Sequence, residues 1–172
     1  MNYNFRKAKM EELPFIWEIL QKSIIRRGKE GSQQWQDGYP NQEVIKNDIL
    51  TDAGYVLTGD GVIIGYSAVI FNDEPAYSRI DGRWLTNGDF VVVHRVAVAE
   101  EFLGQGLALK IFEFIENIAL ENKIFSVKVD TNFDNLAMLR VLEKSGYTYC
   151  GEVSMRGNAR KAFEKPLSDK TQ

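Results

Sequence analysis

The stretch Val96-Ala97-Val98-Ala99-Glu100-Glu101-Phe102-Leu103-Gly104-Gln105-Gly106-Leu107-Ala108 decides how this sequence is read. Its first residues close an apolar run, Phe90 to Ala99 (FVVVHRVAVA), that is nearly all β-branched or small. Such a run predicts a strand buried on both faces. From Gly104 to Leu120 the apolar residues Leu107, Ile111, Phe114, Ile115 and Ile118 recur at helical spacing,. Glycines at the mouth of a helix let a ligand approach the backbone closely. The first helical turn adds unpaired N–H groups and the positive end of the helix dipole. Strand, glycine loop and helix start together suit a phosphate, although the same residues also make a plain tight turn. Two other glycine motifs are excluded. A dinucleotide fingerprint needs glycine where Leu109 stands, and a P-loop needs Lys and Ser/Thr where Leu107 and Ala108 stand,.

Outward from this stretch the pattern predicts one domain over residues 1–172, with no repeat, low-complexity tract or linker. A strand over Asn2–Ala8 precedes a helix from Glu11 to Arg27, with Pro14 in its first turn and Gly28 at its end. Gly31 to Pro40 is a polar, aromatic loop, and Gln42–Leu50 is a second helix. Tyr55–Thr58 and Val62–Phe71 form a hairpin around Gly59-Asp60-Gly61. Asn72 to Gly88 is loop-like. Beyond the long helix come a strand from Ile124, a helix capped by Asp134 or Asn135 and stopped by Gly146, and a closing hairpin turning at Gly157-Asn158. Strands and helices do not alternate regularly, so the fold class is mixed α/β rather than a doubly wound sheet.

Composition narrows the classes further. The 172 residues are 44% hydrophobic and 26% charged, a globular profile,. With 24 acids against 21 Lys and Arg, no basic surplus points to nucleic acid,. One cysteine (Cys150) and one histidine (His94) exclude an internal disulfide and a Cys- or His-rich metal site,. No apolar run has signal-peptide or membrane-span length, so no membrane partner and a cytoplasmic location are expected.

The Val96–Ala108 stretch resembles the acetyl-CoA-binding motif of the GNAT acetyltransferase superfamily. That motif is a Val-Ala-Val-like strand end followed by [Q/R]-x-x-G-x-[G/A] at a helix start. Leu103 stands where the motif has Arg or Gln. Downstream, Asn135, Met138, Gly146 and Tyr147 resemble the family's N-x-x-A-x-x-x-Y-x-x-x-G-[F/Y], and Asp130-Thr131-Asn132 resembles the strand end before it. The N-terminal Arg6-Lys7-Ala8 looks like the family's first strand, so the resemblance spans nearly the whole chain. It implies a mixed, mostly antiparallel sheet of about seven strands flanked by about four helices. It also implies an N-acetyltransferase with acetyl-CoA as co-substrate and no metal. The pantetheine arm would bond the backbone at Val96, Ala97 and Val98, between two strands that splay apart. The pyrophosphate would sit on Leu103, Gly104, Gln105, Gly106, Leu107 and Ala108, with Asn132 and Asn135 facing the cofactor.

The implied reaction is attack of a substrate amine on the acetyl thioester. An alkylamine of pKa near ~10.4 costs on the order of 4–5 kcal/mol to deprotonate at pH 7, so a base helps. His94 is the leading candidate. It lies two residues before Val96, which in a regular strand puts both side chains on one face, and a histidine at the matching place serves arylalkylamine acetyltransferases of the superfamily. A structural histidine is the alternative. The family's acid, a tyrosine, falls on Leu142, which cannot donate a proton. Tyr147 and Tyr149 are the nearby substitutes, and Tyr147 also holds the family's core aromatic position.

The acceptor side is expected from the early helices and the loop before Phe90. Trp35, Asp37 and Tyr39, and separately Trp84, suit a cationic amine or loop packing. Two other functions fit the same resemblance: a CoA-binding sensor without turnover, favoured by Leu103 and Leu142, and a ribosomal-protein N-terminal acetyltransferase. Family members are often dimers, so a homodimer is a further expectation.

Overall fold

A computed structural model describes residues 1–169. The strands are β1 (Tyr3–Lys7), β2 (Gly54–Gly59), β3 (Val62–Phe71), β4 (Asp81–Gly82), β5 (Val91–Val98), β6 (Ser126–Thr131), β7 (Thr148–Met155) and β8 (Asn158–Pro166). The helices are α1 (Leu13–Lys29), α2 (Gln42–Leu50), α3 (Leu107–Glu121) and α4 (Leu136–Lys144). Among the described residues this makes eight mostly antiparallel strands and four helices, the expected fold class with one more strand, β4. No described helix is long and apolar enough to cross a membrane.

The chain divides into two compact units, one of Met1–Val69 with Arg95–Ile111, the other of Ile70–His94 with the residues from Phe112 onward. Each is described by itself.

In the first unit β1 pairs antiparallel with β2, and β2 with β3. Asp60 and Gly61 both take positive φ (49° and 83°), so the hairpin turns on two left-handed residues, the geometry that matches strand twist,. Pro14 sits in the first turn of α1, and Ile16, Ile19, Leu20 and Ser23 form its buried face. The Asn41 side chain caps α2 by accepting from the Val44 N–H at 3.1 Å. Gly28 corrects an expectation, because α1 runs past it to Lys29. A Cβ on Gly28 would lie 2.6 Å from the Gln36 side-chain oxygen. Gln36 in turn donates to the carbonyls of Ile24 and Gln34. Gly28 is therefore a close-approach residue, and positive φ first appears at Gly31.

In the second unit the strand order is β5-β6-β8-β7-β4. β5 runs parallel to β6 from Val91↔Val127 to Val93↔Val129, and the other pairs are antiparallel. The β5–β6 register stops at Val93↔Val129, although β6 continues to Thr131. Phe112 and Ile115 of α3 and Leu142 of α4 are fully buried. The segment expected to be a plain loop holds a 3₁₀ turn at Pro75–Arg79 and β4. Gly82 and Gly151 make the β4–β7 pair possible: a Cβ on Gly82 would lie 2.2 Å from the Cys150 carbonyl oxygen, and one on Gly151 2.2 Å from that of Asp81. The closing hairpin turns at Arg156-Gly157, one residue earlier than expected.

Candidate active site

The glycine loop lies in the first unit. Val96, Ala97 and Val98 end β5 as buried residues, whereas Leu103, Gly104, Gln105 and Gly106 are exposed. The helix starts at Leu107, later than the expected Gly104, because Gly104 (φ 77°) and Gly106 (φ 73°) take a left-handed backbone that a helix cannot contain,. At both glycines the space where a Cβ would sit is open, with no atom within 4 Å. An open stretch of left-handed backbone before a 15-residue helix is a cradle that fits the phosphates of a CoA-type ligand,. Leu103 is 42% exposed, so its loss of the motif's side-chain donor leaves the backbone cradle unblocked.

Just upstream, Arg95 takes φ 56° within β5. A left-handed residue breaks the two-residue alternation, so spacing no longer places His94 and Val96 on one face. Side chains hold the unfavourable backbone in place. Arg95 Nε and Nη2 donate to the two Asp48 oxygens at 2.8 and 2.6 Å, and Nη1 donates to the Tyr39 hydroxyl at 2.5 Å. Tyr66 donates its hydroxyl to Asp48 Oδ2 at 2.6 Å. Burial opposes the Arg95 charge, but the hydrogen bonds and charge of Asp48 more than offset it and raise the guanidinium pKa. Sequence reading missed this group. Its signal was a lone arginine inside an apolar strand, which must find a partner.

His94 belongs to the second unit. Its Nε2 lies 2.8 Å from Glu74 Oε2, and its Nδ1 lies 3.9 Å from Asp130 Oδ1. An ionised carboxylate only accepts, so Nε2 donates to Glu74,. Tyr77 is buried against the imidazole edge and donates its hydroxyl to Asp130 Oδ1 at 2.6 Å. Burial, then the Asp130 charge, hold the Tyr77 phenol well above its ordinary pKa. Arg160 Nε stands 4.0 Å from Asp130 Oδ2. Glu74, Tyr77, Asp130 and Arg160 come from three separate segments and were not singled out with His94 beforehand.

The remaining expected residues are scattered. Tyr147 is buried, packs edge-on against Phe112 and donates its hydroxyl to Glu116 Oε1 at 3.2 Å. Burial and Glu116 raise its pKa well above the ordinary value, which makes it a poor acid. Tyr149 is half exposed, its ring against Phe163. Asn135 caps α4 through the Met138 N–H, and Asn132 donates to Asp134. Trp35 is buried, with the Arg27 guanidinium 3.5 Å over its ring, so that face already holds a cation. Asp37 is exposed, and Tyr39 is committed to Arg95. Trp84 donates to the Tyr77 carbonyl and borders a cavity of about 390 Å³ in the second unit. Cys150 is buried, and burial pushes its thiol pKa up, as in an inert core thiol,. Among the described residues, no three His, Cys, Asp or Glu side chains are placed to hold a metal.

Comparison with known proteins agrees with this geometry. The model of the acetyltransferase (GNAT) family matches residues 14–147. A GNAT-family acetyltransferase of Streptococcus agalactiae superposes with a TM-score of 0.88 at 33% identity, over 97% of this chain and 96% of its own. Two more distant structures share the fold. One is yncA of Salmonella typhimurium, solved with its cofactor acetyl-CoA (TM-score 0.67, 16% identity, 100% and 98% covered). The other is the aminoglycoside acetyltransferase AAC(6')-Ib in complex with coenzyme A (TM-score 0.69, 19% identity, 96% and 95% covered). None of the curated proteins gives a significant match. On the family match and the 33% identity over nearly its full length, this chain belongs to the GNAT family of acetyltransferases.

Proposed function

We propose that this chain works as a single domain, an N-acetyltransferase that moves the acetyl group of acetyl-CoA to a primary amine of a small molecule or peptide, both reactants bound together. The observation that carries the reading is the open, left-handed loop of Gly104 and Gly106 before α3. Relatives of the same fold solved with acetyl-CoA and with coenzyme A support it. The loop amides and the start of α3 would hold the phosphates, and Val96 to Val98 the pantetheine arm; the bound co-substrate supplies a thioester carbon for the amine to attack.

The chain's own part is positioning and proton handling. Holding two reactants in line is worth roughly 7–11 kcal/mol in the best intramolecular models. His94 takes the amine proton, with Glu74 orienting the ring through Nε2,. The protonated ring then lies between Glu74 and Asp130. No side chain is assigned as the acid, because a thiol of pKa ~8.5 is a fair leaving group unaided. A buried lone thiol is in keeping with a reducing, cytoplasmic setting,.

One observation favours a second reading, a CoA-binding sensor without turnover: Leu142 is fully buried at the family's acid position. Incubation with acetyl-CoA and a panel of amines and peptide N-termini, followed as free thiol, tests both. Thiol release with any acceptor supports the transferase, and tight CoA binding without release supports the sensor. Peptide acceptors alone reacting would point to an N-terminal acetyltransferase.

A further inference from the structure

The second unit contains a largely buried cation with no direct ion pair. Lys128, in the middle of β6, is only 4% exposed. Its cross-strand neighbour on β8 is Glu164, the natural partner for an ion pair. Glu164 is occupied elsewhere. It accepts from the Leu85 N–H and the Ser126 hydroxyl, each at 2.6 Å, and from the Thr86 hydroxyl. Among the described residues, the Lys128 side chain makes no hydrogen bond and no ion pair within 4.0 Å. Its ammonium rests between two ring faces, 4.4 Å from the centre of Trp84 and 4.2 Å from that of Phe90. Burial lowers its pKa, only partly offset by the charge of Glu164. Taking an ammonium out of water without an anion is costly.

Lys128, Trp84 and Phe90 line the cavity of about 390 Å³ together with Asn72, Tyr77 and Glu74. That volume falls in the range of small-molecule sites. Its charged lining groups are of both signs: the Lys128 ammonium against the carboxylates of Asp73 and of Glu74, which bonds His94. An anion alone would meet Glu74 as a like charge, and a cation alone would meet Lys128. A ligand carrying both charges satisfies both.

We infer that this cavity takes an amino acid as the acceptor, its carboxylate on Lys128 between Trp84 and Phe90 and its amine toward Glu74, the residue that bonds His94. This rests on the acetyltransferase reading and narrows its substrate class. The reaction stays balanced: the amine nitrogen forms the amide bond, the thioester C–S bond breaks, and one amine proton leaves by way of His94. Burial of the carboxylate against the ammonium supplies specificity, because an amine lacking it leaves Lys128 unanswered.

The test uses matched pairs at saturating acetyl-CoA: phenylalanine with phenethylamine, leucine with isopentylamine, lysine with cadaverine. Thiol release is read as kcat/KM. In parallel, binding of each compound is followed by calorimetry with CoA present. The carboxylated member of at least one pair should be favoured by about 10- to 100-fold, and Lys128→Met should collapse that ratio. Lys128→Gln is the second variant, and thermal unfolding checks that both fold. Plain amines reacting as well as amino acids, or a ratio that survives Lys128→Met, would overturn the inference and leave the acetyltransferase reading intact. Carboxylate-dependent binding lost in Lys128→Met, with no thiol release from any pair, would uphold the cavity and remove the transferase. Absence of both binding and turnover of the amino acids would overturn the inference.

Discussion

The glycine loop of the first unit and the histidine cluster of the second solve opposite problems. Leu103–Gly106 is exposed and made of backbone, and its useful groups are amides pointed by two left-handed glycines. The cluster around His94 is buried and made of side chains, with Glu74, Tyr77, Asp130 and Arg160 converging from separate segments. A backbone site tolerates many side chains so long as φ is permitted, which is why Leu103 can replace a donor there. A buried polar site tolerates few, because each member left alone carries an unpaid desolvation cost. Arg95 and Asp48, both in the first unit, join the two kinds: side chains whose work is to hold one backbone angle.

Breaking that joint should have the largest effect. Asp48→Ala strands the Arg95 charge, and we expect a loss of about 3–5 kcal/mol in denaturant unfolding. Replacing both residues by apolar ones of similar volume should recover most of it. If Asp48→Ala costs less than about 1 kcal/mol, the buried pair is not what holds φ at Arg95.

The backbone site is tested by contrast at one position. Gly104→Glu adds bulk at positive φ and a like charge, and should weaken CoA by roughly 10³-fold in calorimetry. Gly104→Asn, which tolerates the left-handed region, should keep most of the affinity. Equal losses from the two substitutions would mean that side-chain volume, not backbone angle and charge, controls the loop.

The side-chain site is tested at its centre. His94→Ala should lower kcat on the order of 10²-fold, most below pH 8, with CoA affinity nearly unchanged. An unchanged pH–rate profile removes the base assignment.

The smallest expected effect is a peripheral pair. Arg6 hydrogen-bonds Glu12 at 2.6 Å and thereby holds the Glu12 carboxyl below its usual value of 4.5. A depressed acid pKa stabilises the fold above the unfolded value, and this contribution is lost as pH falls through the folded one. Glu12→Gln should therefore cost less than about 1 kcal/mol at pH 7, with the difference from wild type vanishing in acid. A difference that persists at low pH would assign the effect to packing.

Much of the architecture was legible because local rules govern it. The helix expected at Gln42–Leu50 is present, and the expected Gly59-Asp60-Gly61 turn forms with positive φ at its last two residues. Reading failed where a residue's role depends on something distant in sequence. Gly28 looked like a helix stop, yet it clears a path for Gln36. The burial stripe of α3 runs through Leu107, Ile111, Phe112, Ile115 and Ala119, rotated from the expected one, because packing rather than periodicity chooses the face,.

By itself the sequence determined the family and the loop that would carry the co-substrate, because strand end, glycines and helix start are neighbours in the chain and their conformations are set within a few residues. Tertiary structure alone decided what surrounds His94, that Arg95 breaks its strand, and that Glu164 turns from Lys128 to Leu85, Thr86 and Ser126. These depend on which side chains meet across the fold, and the price of burying a charge is set by the partners it finds there.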